Sequence, residues 1–193
     1  VEIEIPTNDY LIKNAYGWSV DKAVNLVVEA TSYAHEHGLY VSFFTLDSTR
    51  APFETFWRLV EAAATQGHMD ACTVVDTFGA ASPHAISYLV RLVKERTGKP
   101  IEIHCHNDFG LSTANTIMAV LSGAEVVHTT VNCIGERIGN ASLEELALAL
   151  KLLYGINTNV KLEKLRPLSK LVEELSGVKL PPHKPIVATE FSR

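Results

Sequence analysis

Two histidines one residue apart carry the densest chemistry in this chain. Residues 101–108 read Ile-Glu-Ile-His104-Cys105-His106-Asn107-Asp108, preceded by Pro100 and followed by Phe109-Gly110. The alternation of Ile101, Ile103 and Cys105 is that of a β-strand. Successive strand side chains point to opposite faces, so His104 and His106 project from the same one. Two imidazoles at a strand end that breaks into a glycine-marked loop can grip one divalent metal ion. The competing reading, two polar strand residues with hydrogen-bond partners, is the one given to the lone His35, His37, His68, His84 and His183. His128 shares strand parity with Thr130 and Asn132, which makes it either a polar core residue or a pocket wall.

Such a pair needs a rigid scaffold, and one pattern recurs along the chain: a β-rich run, a polar loop, an amphipathic segment, then glycine. Val1 to Ile5 is a strand ended by Pro6. Ser19 caps a helix that closes near His37-Gly38. Leu39 to Leu46 is the second strand, and Pro52 opens a helix that ends at Gly67. Ala71 to Val75 is the third strand. Ser82-Pro83 starts the next helix, which runs to Gly98. The His104 run is the fourth strand, followed by a helix from about Leu111 to Gly123. Val126 to Asn132 is the fifth, and Ser142-Leu-Glu-Glu145 is a capping box that begins the next helix.

Five β-loop-helix units with strand starts about 25 to 40 residues apart call for an α/β fold with a parallel sheet. No unit carries G-x-G-x-x-G after its strand, which disfavours a nucleotide-binding open sheet. The polar clusters Asp47 to Arg50, Asp76-Thr77, His104 to Asp108 and Asn132 to Asn140 all follow strand C-termini, where a (β/α)₈ TIM barrel builds its active site. Five strands cannot close such a barrel. The expectation is that the chain supplies the last five βα units, barrel strands 4–8, over residues 1–160. Residues 161–193 form a helix (Leu162 to Leu175) and a stiff linker, Leu180 to Pro185, leading out of the barrel.

The bulk composition narrows the function classes. In 193 residues, apolar types make up 47% and charged types 20%, an ordinary globular balance. A net charge of −5 and a pI near 5.9 argue against nucleic acid or an anionic membrane as partner. No apolar run approaches the roughly 18 residues of a membrane-spanning helix. The chain opens on Val1, so the true N-terminus is expected upstream. Cys72, Cys105 and Cys133 lack metal-type spacing and read as reduced residues of a cytoplasmic protein.

Three motifs then carry a resemblance: Val74 to Pro83 (VVDTFGAASP), His104 to Asn115 (HCHNDFGLSTAN) and Gly135 to Glu145 (GERIGNASLEE). Together they resemble the metal-dependent acyl-CoA condensing enzymes and lyases related to 2-isopropylmalate synthase. That group also includes homocitrate and citramalate synthases and hydroxymethylglutaryl-CoA lyase. The resemblance runs from Val1 to Phe191. It implies a divalent ion (Zn, Mn or Mg) held by His104, His106 and Asn140, with a further aspartate outside this chain. On the residues alone, Asn140 reads as a turn residue after Gly139. The resemblance further implies that Thr77 contacts a substrate carboxylate, where the plain reading is a Ser/Thr turn. Asn107 and Asp108 would orient the imidazoles or their loop, and Glu136 with Arg137 would shape the loop of strand eight.

By this resemblance the activity is a Claisen-type condensation of an acyl-CoA, acetyl-CoA, with a 2-oxo acid. It would serve amino-acid biosynthesis in a cytoplasmic homodimer. The alternatives are a carbon–carbon lyase or aldolase of the hydroxymethylglutaryl-CoA lyase type on the same barrel, or a catalytically altered homologue. The chain departs from the synthases at two positions. Leu46 stands in Phe44-Thr45-Leu46 where they carry the glutamate of Ser-x-Glu, and Leu11 stands where they carry a histidine. Both changes fall on the 2-oxo acid pocket or the proton-transfer groups, and the residues present nominate no catalytic acid or base. Cys133 does not match the spacing of the lyase cysteine.

Overall fold

The structure, a computed structural model, describes residues 1–188. Thr189 to Phe191, the end of the stretch that carries the resemblance, lie outside the described residues. Five parallel strands, β1 (Glu2–Pro6), β2 (Ser42–Leu46), β3 (Ala71–Asp76), β4 (Ile101–Cys105) and β5 (Val126–Val127), lie side by side in sequence order. Between and after them run α1 (Asp9–Asn14), α2 (Val20–Glu36), α3 (Phe53–Thr65), α4 (Pro83–Thr97), α5 (Ser112–Leu121), α6 (Leu143–Tyr154) and α7 (Leu165–Ser176).

A doubly wound sheet reverses its strand order at a switch point, whereas this order never reverses. Right-handed crossovers between sequential parallel strands put every connecting helix on one side. The main core forms on that side. Ile5, Phe43, Cys72, Val74, Ile101, Ile103 and Cys105 from the strands pack there against Val27, Leu59, Val60, Ile86, Val90, Val93 and Ala119 from the helices. The opposite face carries Ser42, Phe44, Thr73, Glu102 and His104, and in a barrel it becomes the interior. The fold is therefore α/β, five consecutive βα units of a TIM barrel, as the sequence implies.

Several local expectations hold, and several are corrected. Ser82 accepts from the Ala85 amide with Pro83 in the first turn of α4, and Ser19 accepts from the Lys22 amide in α2. Pro52 sits at the cap of α3 rather than inside its first turn. β2 starts at Ser42 instead of Leu39, because the Val41 amide goes to the Asp70 carboxylate and not into the ladder. Residues 9–14, read as loop, form α1, with the Asn8 side chain accepting from the Tyr10 amide.

The largest correction concerns β5, which stops at Val127 and not at Asn132. Beyond it the chain leaves the ladder. The Thr130 amide bonds the Ala141 carbonyl, and Asn132 and Cys133 take left-handed backbone angles (φ 62° and 65°). Ser142 is the cap residue of α6, but no capping-box bond forms, because its hydroxyl donates to Glu144 Oε2 at 2.7 Å. The same fully buried carboxylate accepts the Asn132 amide at 2.9 and 3.1 Å. Asn132 also exchanges side-chain bonds with Ser169, which docks α7 against this turn.

A buried carboxylate held by two donors stabilises only while the donors remain. Glu144→Ala leaves the Asn132 amide and the Ser142 hydroxyl unmet and should cost about 2–4 kcal/mol, against about 1 kcal/mol for Ser169→Ala. Urea unfolding midpoints check both the sign and the order.

Candidate metal centre

β4 sets the site through its pairing with β3, in which Val75 faces His104 and Asp76 faces Cys105. The helix face takes Ile101, Ile103 and Cys105, so Glu102, His104 and His106 must occupy the other. His104 Nε2 lies 3.2 Å from His106 Nε2. The Asn140 carboxamide nitrogen lies 3.2 Å from His104 Nε2 and 3.3 Å from His106 Nδ1. A half-turn of the Asn140 carboxamide presents Oδ1 to the rings instead.

The Nε2 atoms of His104 and His106 are spaced to share one ion, since two imidazole nitrogens at ~2.0–2.1 Å from one metal stand about 3 Å apart. The donor set, two imidazoles and one amide oxygen, is that of a divalent cation. Burial pushes His104 down to about 4, with His106 and His128 adding to the effect, so its ring is neutral and its lone pair available. Burial and then Arg137 also lower His106, against the opposing pull of Glu136 and Asp108.

Asn140 reaches the pair because the loop after β5 folds back on the end of β4. An isolated antiparallel bridge joins His106 to Asn140, and the Asn107 amide donates to the Gly139 carbonyl at 2.9 Å. Asn107 buckles the two loops together. Its Oδ1 accepts from the Ser112 amide and hydroxyl (3.2 and 2.7 Å), and its Nδ2 points to Cys133 Sγ at 3.4 Å. The Cys133 thiol in turn donates to the Asn140 carbonyl at 2.9 Å. Two glycines make this approach possible. A Cβ at Gly139 (φ 99°) would lie 1.6 Å from the Cys133 carbonyl oxygen, and one at Gly135 would lie 2.0 Å from Asn140 Oδ1.

The other residues singled out in the sequence stand around this centre. Arg137 (φ 57°) makes a two-pronged pair with Asp108 at 2.9 and 3.0 Å, donates to the Thr77 carbonyl and contacts Glu136 at 3.2 Å. It thereby ties the loops after β3, β4 and β5, and it holds the Asp108 carboxyl below the usual carboxylate range. Phe78 lies between the Arg137 and Arg50 guanidiniums, 5.2 and 3.9 Å from its ring centre, and Arg50 is itself paired with the buried Asp47. Thr77 Oγ1 accepts the Asp47 amide at 2.8 Å, which leaves its hydroxyl proton to donate elsewhere. Glu136 is 71% exposed, with Oε2 3.9 Å from His106 Nε2. Asp108 and Asn107 make no hydrogen bond to either imidazole; they hold the loops.

Three participants, Glu102, Glu2 and Phe44, escaped the sequence reading. Glu102 and Glu2 lie on the interior face beside His128, their ligand atoms all within 4.8 Å of one another, so this trio is also able to hold a cation. Strand parity with His104 was the available signal for Glu102. Phe44 packs edge-on to His104 at 5.3 Å. Asp76, raised by burial, accepts from Thr49, Ala80 and Asn115 and braces the loop after β3. His128, open between core and pocket wall on sequence grounds, faces the interior, its Nδ1 3.3 Å from His104 Nδ1.

Because the atom that a Gly135 side chain would meet is the end of a movable carboxamide, Gly135→Ala should leave the fold intact and expel Asn140 from the His pair. A crystal structure of that variant with the carboxamide still 3.2 Å from His104 Nε2 would contradict this account.

Comparison with known proteins bears on what this centre serves. A family model described as HMGL-like matches residues 1–172. Homocitrate synthase AksA of Methanocaldococcus jannaschii is 45% identical over 170 residues, covering 88% of this chain and 42% of that protein. A probable 2-isopropylmalate synthase of Archaeoglobus fulgidus is 41% identical over 187 residues, covering 97% of this chain and 37% of that protein. The chain thus spans about two fifths of the length of these relatives. An HMG-CoA lyase structure from Bacillus subtilis superposes with a TM-score of 0.80 over 94% of this chain and 65% of that one, at 24% identity, a likeness of fold alone. The chain belongs to the HMGL-like family.

Proposed function

We infer that this chain is the metal-binding half of an acyltransferase barrel that condenses acetyl-CoA with a 2-oxo acid. The observation that carries this reading is the convergence of His104, His106 and Asn140 within 3.2–3.3 Å at the C-terminal ends of barrel strands. The synthase names of relatives above 40% identity support it, whereas the lyase likeness is one of fold.

In this reading His104, His106 and Asn140 hold a divalent ion, Zn, Mn or Mg. When bound, the ion supplies Lewis acidity to the 2-oxo acid carbonyl. The bond formed joins the acyl methyl carbon to that carbonyl carbon, and hydrolysis of the thioester then releases the CoA thiol. Thr77, with its hydroxyl proton uncommitted to Asp47, donates to the substrate carboxylate. Arg137 and Asp108 keep the loops of three strands closed over the centre, with Asn107 holding Asn140 in place and Glu136 at the rim. The acid and base of the proton transfers come from outside these residues, since Leu46 offers no ionisable group. Phe44 and Leu46 give the β2 wall an apolar lining that favours a 2-oxo acid with an apolar substituent. The enzyme is proposed to work as a cytoplasmic homodimer in amino-acid biosynthesis; among the described residues, no helix is long and apolar enough to cross a membrane.

Thiol release from acetyl-CoA, followed across a panel of 2-oxo acids with Mn²⁺ or Zn²⁺, tests the reading in the intact polypeptide that carries this chain. Release that depends on one 2-oxo acid and disappears on chelation is the expected result. Absence of release from every acid with metal bound would favour the lyase alternative, in which carbon–carbon cleavage of a 3-hydroxyacyl-CoA replaces condensation. Asn140→Ala should weaken Mn²⁺ binding clearly more than Asn107→Ala, because the first removes a ligand and the second only its buckle; equal losses in a metal titration would refute the ligand assignment.

A further inference from the structure

The interior face of the sheet carries a row of polar side chains that ends on the imidazole pair. Ser42 Oγ lies 2.7 Å from Thr73 Oγ1, and Thr73 donates to Glu102 Oε2 at 3.1 Å. On the other side of Glu102, the same Oε2 lies 3.3 Å from His128 Nε2, while His128 Nδ1 lies 3.3 Å from His104 Nδ1. Strand pairing produces this row. Ile103 faces Val127 across the β4–β5 ladder, and the next residues on each chain are His104 and His128.

We propose that Glu102 and His128 form a proton-ordered relay that holds His104 in the tautomer whose Nε2 lone pair faces His106 and Asn140. The proposal rests on the reading of those residues as metal ligands. Its direction follows from what each atom can do. A carboxylate only accepts, so the contact between Glu102 and His128 requires a hydrogen on His128 Nε2. A neutral imidazole with Nε2–H has its lone pair on Nδ1, so the contact between His128 and His104 requires a hydrogen on His104 Nδ1. The His104 lone pair is then left on Nε2, the atom 3.2 Å from both His106 Nε2 and the Asn140 carboxamide. Phe44 lies against both rings, 5.3 Å from His104 and 6.2 Å from His128, and shields the contact from water on that side.

A carboxylate or carbonyl commonly orients a ligating histidine directly; here a second imidazole stands between them. Glu102 and His128 are thus positioning residues. Glu2, whose Oε1 lies 3.5 Å from His128 Nε2, offers that nitrogen a second acceptor and reinforces the same polarity.

Nitrogen-15 NMR of the metal-free parent, labelled at histidine, tests this without any substitution: His104 should carry its proton on Nδ1, and a proton found on Nε2 overturns the relay. Calorimetric titration of the intact polypeptide with Mn²⁺ adds the energetic side. His104→Ala should abolish binding, and His128→Leu should weaken it about 10–100-fold. His128→Gln, whose amide still accepts and donates, should recover most of that loss. Parent affinity in His128→Leu overturns the relay while leaving the metal-ligand reading intact. Equal losses in the Leu and Gln variants assign His128 a packing role and overturn it as well. Parent affinity in His104→Ala overturns the metal-ligand reading itself; if Glu102→Gln then abolishes binding, the ion belongs to Glu2, Glu102 and His128 instead.

Discussion

The register of β4 between β3 and β5 is the constraint on which the site depends. With Val75 opposite His104 and Ile103 opposite Val127, alternate residues of one short strand serve two opposed environments. Ile101, Ile103 and Cys105 are fully buried under the helices, while Glu102, His104 and His106 line the barrel interior. A slip of one residue would exchange the two sets, placing imidazoles and a carboxylate in the helix layer. The apolar burial under the helices therefore enforces the aim of the imidazole pair.

A polar interior is costly to bury unless its donors and acceptors meet, and here they do. Ser42, Thr73, Glu102, His128 and His104 hand one hydrogen bond to the next from β2 across β3 and β4 to the residue that follows β5. The loops above follow the same logic at higher strain. Asn132, Cys133 and Arg137 all hold positive φ. A buried carboxylate at Glu144, a thiol–carbonyl contact at Cys133 and the Asp108 pair at Arg137 keep them there. Left-handed backbone in residues other than glycine persists where surrounding contacts over-determine it, and here it carries Asn140 to the rings.

The apolar wall of β2 sets this chain apart from the synthase pattern that its motifs resemble. Phe44 stands edge-on to His104, where it lowers the local polarity and contributes to keeping that ring uncharged. Leu46, one turn of the pleat further on, adds no proton-transfer group. The imidazole pair and the contacts that hold it thus stand beside a hydrophobic wall.

Local rules made much of this protein legible. Period-two alternation, Ser-Pro and Ser starts, and glycine stops located the five strands and most helices, because these signals arise from neighbours in sequence. The shared face of His104 and His106 follows from two residues on one strand, with no knowledge of the fold. Asn140 was different: by itself it is a turn residue, and only motif resemblance nominated it before the loop was seen to fold back on β4. The early end of β5, the diversion of Ser142 from its capping bond to Glu144, and the approach of His128 to His104 were beyond local reasoning. The first and last depend on atoms 12 to 37 residues away competing for the same donor or acceptor, as Glu144 does for the Asn132 amide and Ser169 for its side chain, and the Ser142 diversion, only two residues long, turns on the carboxylate that the distant Asn132 amide also holds. Sequence alone determined which residues share a face. Tertiary structure decided which of them meet, because hydrogen bonds are won by the partner that packing brings within reach.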